Sequence, residues 1–280
     1  MDQHSLESAL ADIHLPAIHF FPTIGSTNDQ AWRWVDSGAP HCALVIADEQ
    51  TAGRGRLQRR WVTVAGSGLA YSLVLKSPPL EAHLVQRLTG LAALTLCNVL
   101  RTKYGLSAQI KWPNDILLNQ RKLAGVLVEA RWDGDTLKAA VIGIGINIAP
   151  ESVNPISLPV EGLNFPATCV EDGLGYPVDR LELLRLSLLE LLDWLPRLSS
   201  QDFIDRWEAS LAYLDQWVEL IVDPTTPSAS QEVVTPPIQL GKVIGLTPEG
   251  SLKLMTTSGK LVIVQVGEIY LRPAHADPLS

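Results

Sequence analysis

The stretch TAGRGRLQRRW at residues 51–61 gathers Arg54, Arg56, Arg59 and Arg60 beside Gly53 and Gly55, in a chain whose formal charge is −8. Glycine lets a backbone pass close to a ligand with its N–H groups free, and arginine adds a planar fork of donors suited to carboxylate or phosphate. The chemistry this points to is a loop that holds a small anion. A solvated basic turn would explain the stretch if it stood alone. KWPNDILL (111–118) sets Lys111, Asn114 and Asp115 around one turn between apolar segments. Asn and Asp are ordinary turn formers, but a lysine between Ile110 and Trp112 is costly if buried without a polar pocket.

In RKLAGVLVEA (121–130), Lys122 precedes an apolar strand that Gly125 interrupts. Such a glycine often marks close approach by a ligand, while a lysine at a strand end reaching for water is the plainer reading. GIGIN (143–147) lies late in a strand, no helix follows it, and Ile148 stands where a third glycine would complete a dinucleotide fingerprint, which excludes that fold. Its alternating glycines offer a flat face on which a ring system could lie. In STN (26–28) an N-cap accounts for the residue types, and the same hydroxyls and amide suit a small polar head group.

Elements must hold these residues. Ser26 or Thr27 caps a helix over about 28–36, ended by Gly38. Strands follow at 43–48 and 68–75, the second alternating as a half-buried strand does. Leucines spaced by three and four predict a long helix over 80–103, stopped at Gly105. Short strands at 108–112 and 116–118 flank the 113–115 turn, and strands at 123–132 and 136–148 join through Asp133–Gly134. The 136–148 strand is expected to leave an edge on which two subunits could pair, monomer and homodimer both remaining open. Residues 150–178 read as loop, with helices at 180–195 and 202–214. From about residue 216 the texture becomes short strands and turns, with a Pro/Ser/Thr-rich insertion at 223–237. The expected architecture is α+β: a mixed β-sheet with helices over 1–215, then a small SH3-like β-barrel over 216–280.

Composition bounds the function. Apolar residues make up 46% and charged residues 19%, enough to fill a sizeable core. The acidic balance argues against a broad nucleic-acid face, so no specific DNA binding is expected, although a local basic pocket remains compatible. Cys42, Cys97 and Cys169 show no metal spacing and read as reduced, mostly buried thiols. With no basic-then-apolar leader and no long apolar run, the chain reads as cytoplasmic and without a membrane segment.

STN, QTAGRGRLQRRW, KWPNDILLNQRKLAGVLVEA and GIGIN, in this order and at these separations, resemble the biotin protein ligases. The likeness is strong over roughly residues 20–150 and looser beyond. Relatives that double as repressors begin with a helix-turn-helix domain; here the motifs start by residue 26, which matches the short, monofunctional class. The resemblance implies an ATP-dependent, AMP-forming ligase. It would condense biotin with ATP to biotinyl-5′-adenylate, with Mg²⁺, and transfer biotin to a lysine of a biotin carboxyl carrier protein. It implies that Ser26, Thr27, Asn28 and Gln50 hold the ureido end of biotin. Gly53, Arg54, Gly55, Arg56, Lys122, Gly125 and Gly143 complete the biotin site, and Leu127 lines a slot for the apolar chain. Arg56, Arg59, Trp61, Lys111, Asn114, Lys122 and Asn147 would meet ATP or the adenylate. The catalytic set implied is Arg56, Lys111, Asp115 and Lys122, with Asp115 orienting or deprotonating the acceptor lysine. A lipoate or octanoate ligase of the same superfamily and a non-catalytic biotin sensor are the alternatives. One departure stands out: the family often carries glycine soon after GRGR, and here Gln58 stands there, which points to an altered loop and altered retention of the adenylate.

Overall fold

The computed structural model describes residues 1–56, 59–76, 81–153, 166–222, 238–264 and 269–273. A short helix, α1 (Gln3–Ala9), begins at Asp2, whose carboxylate accepts the Ser5 N–H at 2.8 Å. Strand β1 (Ile18–Ile24) leads to α2 (Thr27–Asp36), capped by the Ser26 hydroxyl. Then come β2 (Ala43–Arg54), β3 (Arg60–Thr63) and β4 (Gly68–Lys76). A 3₁₀ turn over Ala82–Arg87 feeds α3 (Leu88–Tyr104), which stops at Gly105 with φ 66°. Strands β5 (Gln109–Lys111), β6 (Asp115–Leu118), β7 (Arg121–Asp133) and β8 (Thr136–Asn147) follow. Helices α4 (Val170–Leu174), α5 (Arg180–Trp194) and α6 (Gln201–Ala209) close this part. The remaining strands are β9 (Trp217–Val222), β10 (Ile238–Leu246), β11 (Leu252–Thr256), β12 (Leu261–Val264) and β13 (Ile269–Pro273).

The first sheet has the order β1-β2-β4-β8-β7-β6-β5, with β3 paired to β2. Only β1 and β2 run parallel; the other pairs are antiparallel, so the sheet is mixed. Strand β4 is buried on both faces rather than one. Leu69, Tyr71, Leu73 and Leu75 enter the core under α3 and α5, while Val74 joins Ala31, Trp32, Val45 and Val141 beneath α2. The helices on both sides turn an alternating pattern into a fully covered strand.

The edge expected at 136–148 is a correction. Strand β8 pairs with β4 over Ala139–Asn147 and with β7 over Thr136–Ile146, so it lies inside the sheet and offers no seam for a second subunit. The helix expected over 202–214 also ends early, at Ala209. Ser210 O accepts the Ile110 N–H and Ala212 N–H donates to Ile110 O, both at 2.8 Å, so this segment straightens to cover the outer strand β5. Helix α1 and strands β1 and β3 have no counterpart among the elements expected from the sequence, and α4 forms within the 150–178 stretch expected to be loop.

The second sheet is antiparallel, in the order β12-β11-β10-β9-β13, compatible with an SH3-like module. Among the described residues no pair joins β12 to β13 into a closed barrel. The 223–237 insertion lies outside the described residues. The two sheets meet at particular contacts: Trp112 Nε1 donates to Gly250 O at 3.0 Å, and Leu246 N–H donates to Glu208 Oε2 at 2.6 Å. A methyl built on Gly90 or Gly250 would fall 2.4 or 2.3 Å from the Trp207 indole, which is therefore gripped between α3 and the second sheet. Cys97 and Cys169 are buried and Cys42 is half-buried, all as free thiols. Among the described residues no helix is long and apolar enough to cross a membrane.

Trp207 is 1% exposed. Trp207→Ala is expected to lower the unfolding free energy by about 3–5 kcal/mol, the range for deleting a buried aromatic ring. Urea unfolding at neutral pH measures this, and a loss below about 1 kcal/mol would contradict the packing described.

Candidate functional site

Strand period decides which side chains meet. Along β8, Ile142, Ile144 and Ile146 enter the core under α3, so Gly143, Gly145 and Asn147 face the α2 side. Their register partners on that face are Ser72, Ala70 and Gly68 of β4, and Leu127 and Gly125 of β7. A methyl on Gly143 would lie 2.1 Å from Asn28 Oδ1, and one on Gly145 would lie 2.3 Å from the Trp61 indole. The flat glycine face expected from the sequence therefore exists, and the ring lying on it is the protein's own Trp61.

One end of the site is a neutral polar cluster at the start of α2. Ser26, Thr27, Asn28, Gln50 and Ser72 are all buried there. Gln50 Oε1 accepts the Thr27 N–H at 2.8 Å and the Thr27 hydroxyl at 3.0 Å. Ser72 Oγ lies 2.8 Å from Thr27 Oγ1 and 2.7 Å from Asn28 Oδ1. Ser26 contributes its cap: its Oγ accepts the Asp29 N–H at 3.3 Å. Gly53 closes over Gln50, since a methyl there would meet Gln50 Nε2 at 2.7 Å.

The other end carries charge. Lys122 Nζ lies 2.6 Å from Asp115 Oδ1 and 5.7 Å from the centre of the Trp61 ring. Lys111, 8% exposed, is the register partner of Asp115 across the β5–β6 hairpin. Arg56 Nη1 donates to Asn114 Oδ1 at 3.2 Å, and Asn114 Nδ2 donates to Val126 O at 2.9 Å, tying loop, turn and β7 together. Burial of Asp115 opposes its ionisation. The charges of Lys122, Lys111 and Arg56, with the Lys122 hydrogen bond, outweigh that and hold the carboxyl below its usual range. The backbone of Lys122 is braced as well, its N–H donating to Pro166 O and its C=O accepting from Thr168 N–H, while Asn147 Nδ2 donates to Thr168 O.

A cleft of about 480 Å³ is lined by Arg54, Arg56, Arg59, Arg60, Leu127 and Glu129 among others. That size suits a small organic ligand. The arginines of the opening motif do not act alike. Arg54 is clasped by Glu129 through bonds of 2.8 and 2.7 Å and lies 2.8 Å from Asp29, whereas Arg56 turns toward Asn114 and the charge of Asp115. Arg59 shapes the turn, its C=O accepting the Gly55 N–H at 2.7 Å. Gln58, the departure from the glycine pattern, lies outside the described residues.

Sequence reasoning missed Ser72 and Glu129. Glu129 was within reach, because Gly125, Leu127 and Glu129 alternate along β7 and share a face. Ser72 had no such signal, since only the β4–β8 register sets it beneath Asn28.

Residues 20–147 match the model of the Biotin/lipoate A/B protein ligase family. The bifunctional ligase/repressor BirA of Bacillus subtilis is 36% identical over 170 residues, 61% of this chain and 51% of that protein. The chain thus spans about half the length of the Bacillus relatives it matches. The biotin–[acetyl-CoA-carboxylase] ligase of Paracoccus denitrificans is 35% identical over 240 residues, 85% of this chain and 94% of that one. Among solved structures, a biotin protein ligase from Aquifex aeolicus in complex with biotin and ATP superposes with TM-score 0.71 at 26% identity, covering 92% of this chain and 99% of that chain.

Because its folded pKa is lowered, Asp115 contributes stability above its unfolded value of 3.8, and that contribution is lost as pH falls below it. Lys122→Met should cost roughly 1–3 kcal/mol at pH 7, less than a fully buried pair because solvent reaches both groups. The stability curves of the two proteins should draw together as pH falls below 3.8 and meet once pH passes below the lowered pKa of folded wild-type Asp115. A difference that shows no decline as pH is taken progressively below 3.8, for as long as the protein stays folded, would show that the pair is not what Lys122 contributes.

Proposed function

The chain belongs to the biotin/lipoate A/B protein ligase family, and from that membership we propose that it is a biotin–protein ligase that activates biotin with ATP and delivers it to a lysine of a carrier protein. The observation that supports this reading is the cationic cluster of Lys122, Lys111 and Arg56 around one carboxylate, on the same sheet as the buried polar cluster of Ser26, Thr27, Asn28, Gln50 and Ser72. A reaction that joins a carboxylate to a phosphate brings anions together at one point, and fixed cations there lower the cost of approach. A head group without charge suits the polar cluster.

In the first step a carboxylate oxygen of biotin attacks the α-phosphorus of ATP, and the bond to pyrophosphate breaks. Lys122 and Arg56 are the groups we assign to the carboxylate–phosphate linkage, and Lys111 to charge building on the phosphate. As Lys122 turns to the ligand it leaves Asp115, whose carboxylate can then take the ammonium of the incoming lysine. In the second step that lysine, having lost a proton, attacks the acyl carbon and AMP departs. We assign Asp115 the orienting of that lysine; its lowered pKa belongs to the state in which Lys122 is paired with it. Trp61, on the glycine face, would border biotin and the nucleotide together with Gly125 and Asn147, and Leu127 would line the apolar slot.

Mg²⁺ is read as arriving on the triphosphate. Among the described residues no cluster of three or more acidic, His or Cys side chains is placed to hold a metal, and no protein ligand is assigned. We assign residues 1–215 to the catalytic unit and 216–280 to a supporting module that buttresses the KWPND turn through Trp112.

Biotin-dependent ATP–pyrophosphate exchange tests the reading, run beside lipoate and octanoate. Exchange with biotin alone is expected; exchange with lipoate or octanoate instead would move the chain to the sister activity. Arg56→Gly is expected to free the loop from Asn114 and release adenylate, raising stray biotinylation of a bystander protein about tenfold or more. Leakage at the wild-type level would remove that role.

A further inference from the structure

Glu129 is absent from the set of residues implied by the motifs, yet it joins several parts of the site. Its Oε1 accepts from Arg54 Nη1 at 2.8 Å. Its Oε2 accepts from Arg54 Nη2 at 2.7 Å, from Asn28 Nδ2 at 2.9 Å and from Trp32 Nε1 at 3.3 Å. These donors come from β2 and α2, so a single carboxylate on β7 gathers three elements.

The chemistry of the acceptor has a directional consequence. An ionised carboxylate only accepts, so the Asn28 amide must present Nδ2 to it and turn Oδ1 away. That oxygen then meets Ser72 Oγ at 2.7 Å and fills the space left by the missing side chain of Gly143. Ser72 has a single hydrogen with two oxygens in reach, Asn28 Oδ1 and Thr27 Oγ1; the amide oxygen takes it, while the Thr27 hydroxyl gives its own hydrogen to Gln50 Oε1. With Oε1 occupied, Gln50 Nε2 is directed toward Thr63 Oγ1 at 3.5 Å and toward Gly53. A run of hydrogen bonds thus reaches from Arg54 through Glu129 and Asn28 to Ser72.

We propose that Glu129 is a positioning residue for the head-group end of the site, fixing which way the Asn28 amide points and, through its oxygen, where the Ser72 hydroxyl sends its hydrogen. This rests on the biotin reading. A cyclic urea carries two N–H donors beside one carbonyl acceptor, so a pocket that recognises it must keep its own donors and acceptors in a fixed order. The Arg54–Glu129 pair is partly exposed, with side chains 39% and 27% accessible, so its worth to stability is small and orientation is the larger part of its role. Arg54 is correspondingly a strap for the loop rather than a charge offered to the phosphate.

The test is the same exchange assay with Glu129→Gln, which keeps the shape but adds a donor and lets the Asn28 amide reverse. The KM for biotin should rise about tenfold, while kcat and the KM for ATP stay within about twofold. Trp32→Phe removes one donor to Glu129 from behind the site and should raise the same constant by about two- to threefold. It also serves if the glutamine variant does not fold. An unchanged biotin KM in folded Glu129→Gln would overturn the proposal, as would equal losses in biotin and ATP or an unchanged biotin KM in Trp32→Phe. Absence of biotin-dependent exchange in the wild-type protein would remove both the ligase reading and this inference; wild-type exchange with an unaffected Glu129→Gln removes only the inference.

Discussion

Two side chains from distant parts of the chain rest directly on the backbone of β8, and the site depends on that approach. Asn28 reaches Gly143 from α2, and Trp61 reaches Gly145 from β3. Strand period places both glycines on the same face, and the register with β4 and β7 surrounds them with small or short neighbours, Ala70, Ser72 and Gly125. The result is a shallow bed in the middle of a large sheet, where the strands on either side keep it rigid. Polar groups on such a bed hold their positions because the sheet beneath cannot yield.

Charge is divided along this bed. At one end, buried neutral groups satisfy one another through hydrogen bonds. At the other, Asp115 and the cations around it hold opposite charges close together, partly screened from water. In the proposed ligase reaction, an anionic ligand competes with this carboxylate for the same cations. Arg54 and Arg56 sit two residues apart, yet one is bound to the neutral end by Glu129 and the other to the charged end by Asn114. The loop therefore spans the bed with an anchor at each end.

Much of this was legible in the residues. Ser26 as a cap, the alternating glycines of β8, the Asp133–Gly134 hairpin and the stop at Gly105 each express a local rule, and each held. What escaped depends on partners far away in sequence. Glu129 meets Arg54 across 75 residues, and nothing near either residue announces the pair. Helix α6 ends at Ala209 because β5 recruits the following backbone, a contact made a hundred residues from its partner. Strand β1 carries His19, Pro22 and Thr23 among its apolar residues and lacks clean alternation, so only its pairing with β2 makes it a strand. The 136–148 segment is apolar enough for an interface, and its apolar character instead reflects neighbours on both sides.

The hydrogen bond from Trp112 to Gly250 bears on how this protein could be recombined with its relatives. Trp112 is 3% exposed and lies beside Lys111, and its indole N–H is satisfied by a carbonyl in a turn of the second sheet. A chimera that kept the first sheet and exchanged the second for a foreign one would inherit a buried donor that needs an acceptor at that point in space. The turn between β10 and β11 is therefore part of the grammar of any exchangeable module here. Its glycine must stay small enough to admit Trp207, and its carbonyl must point inward.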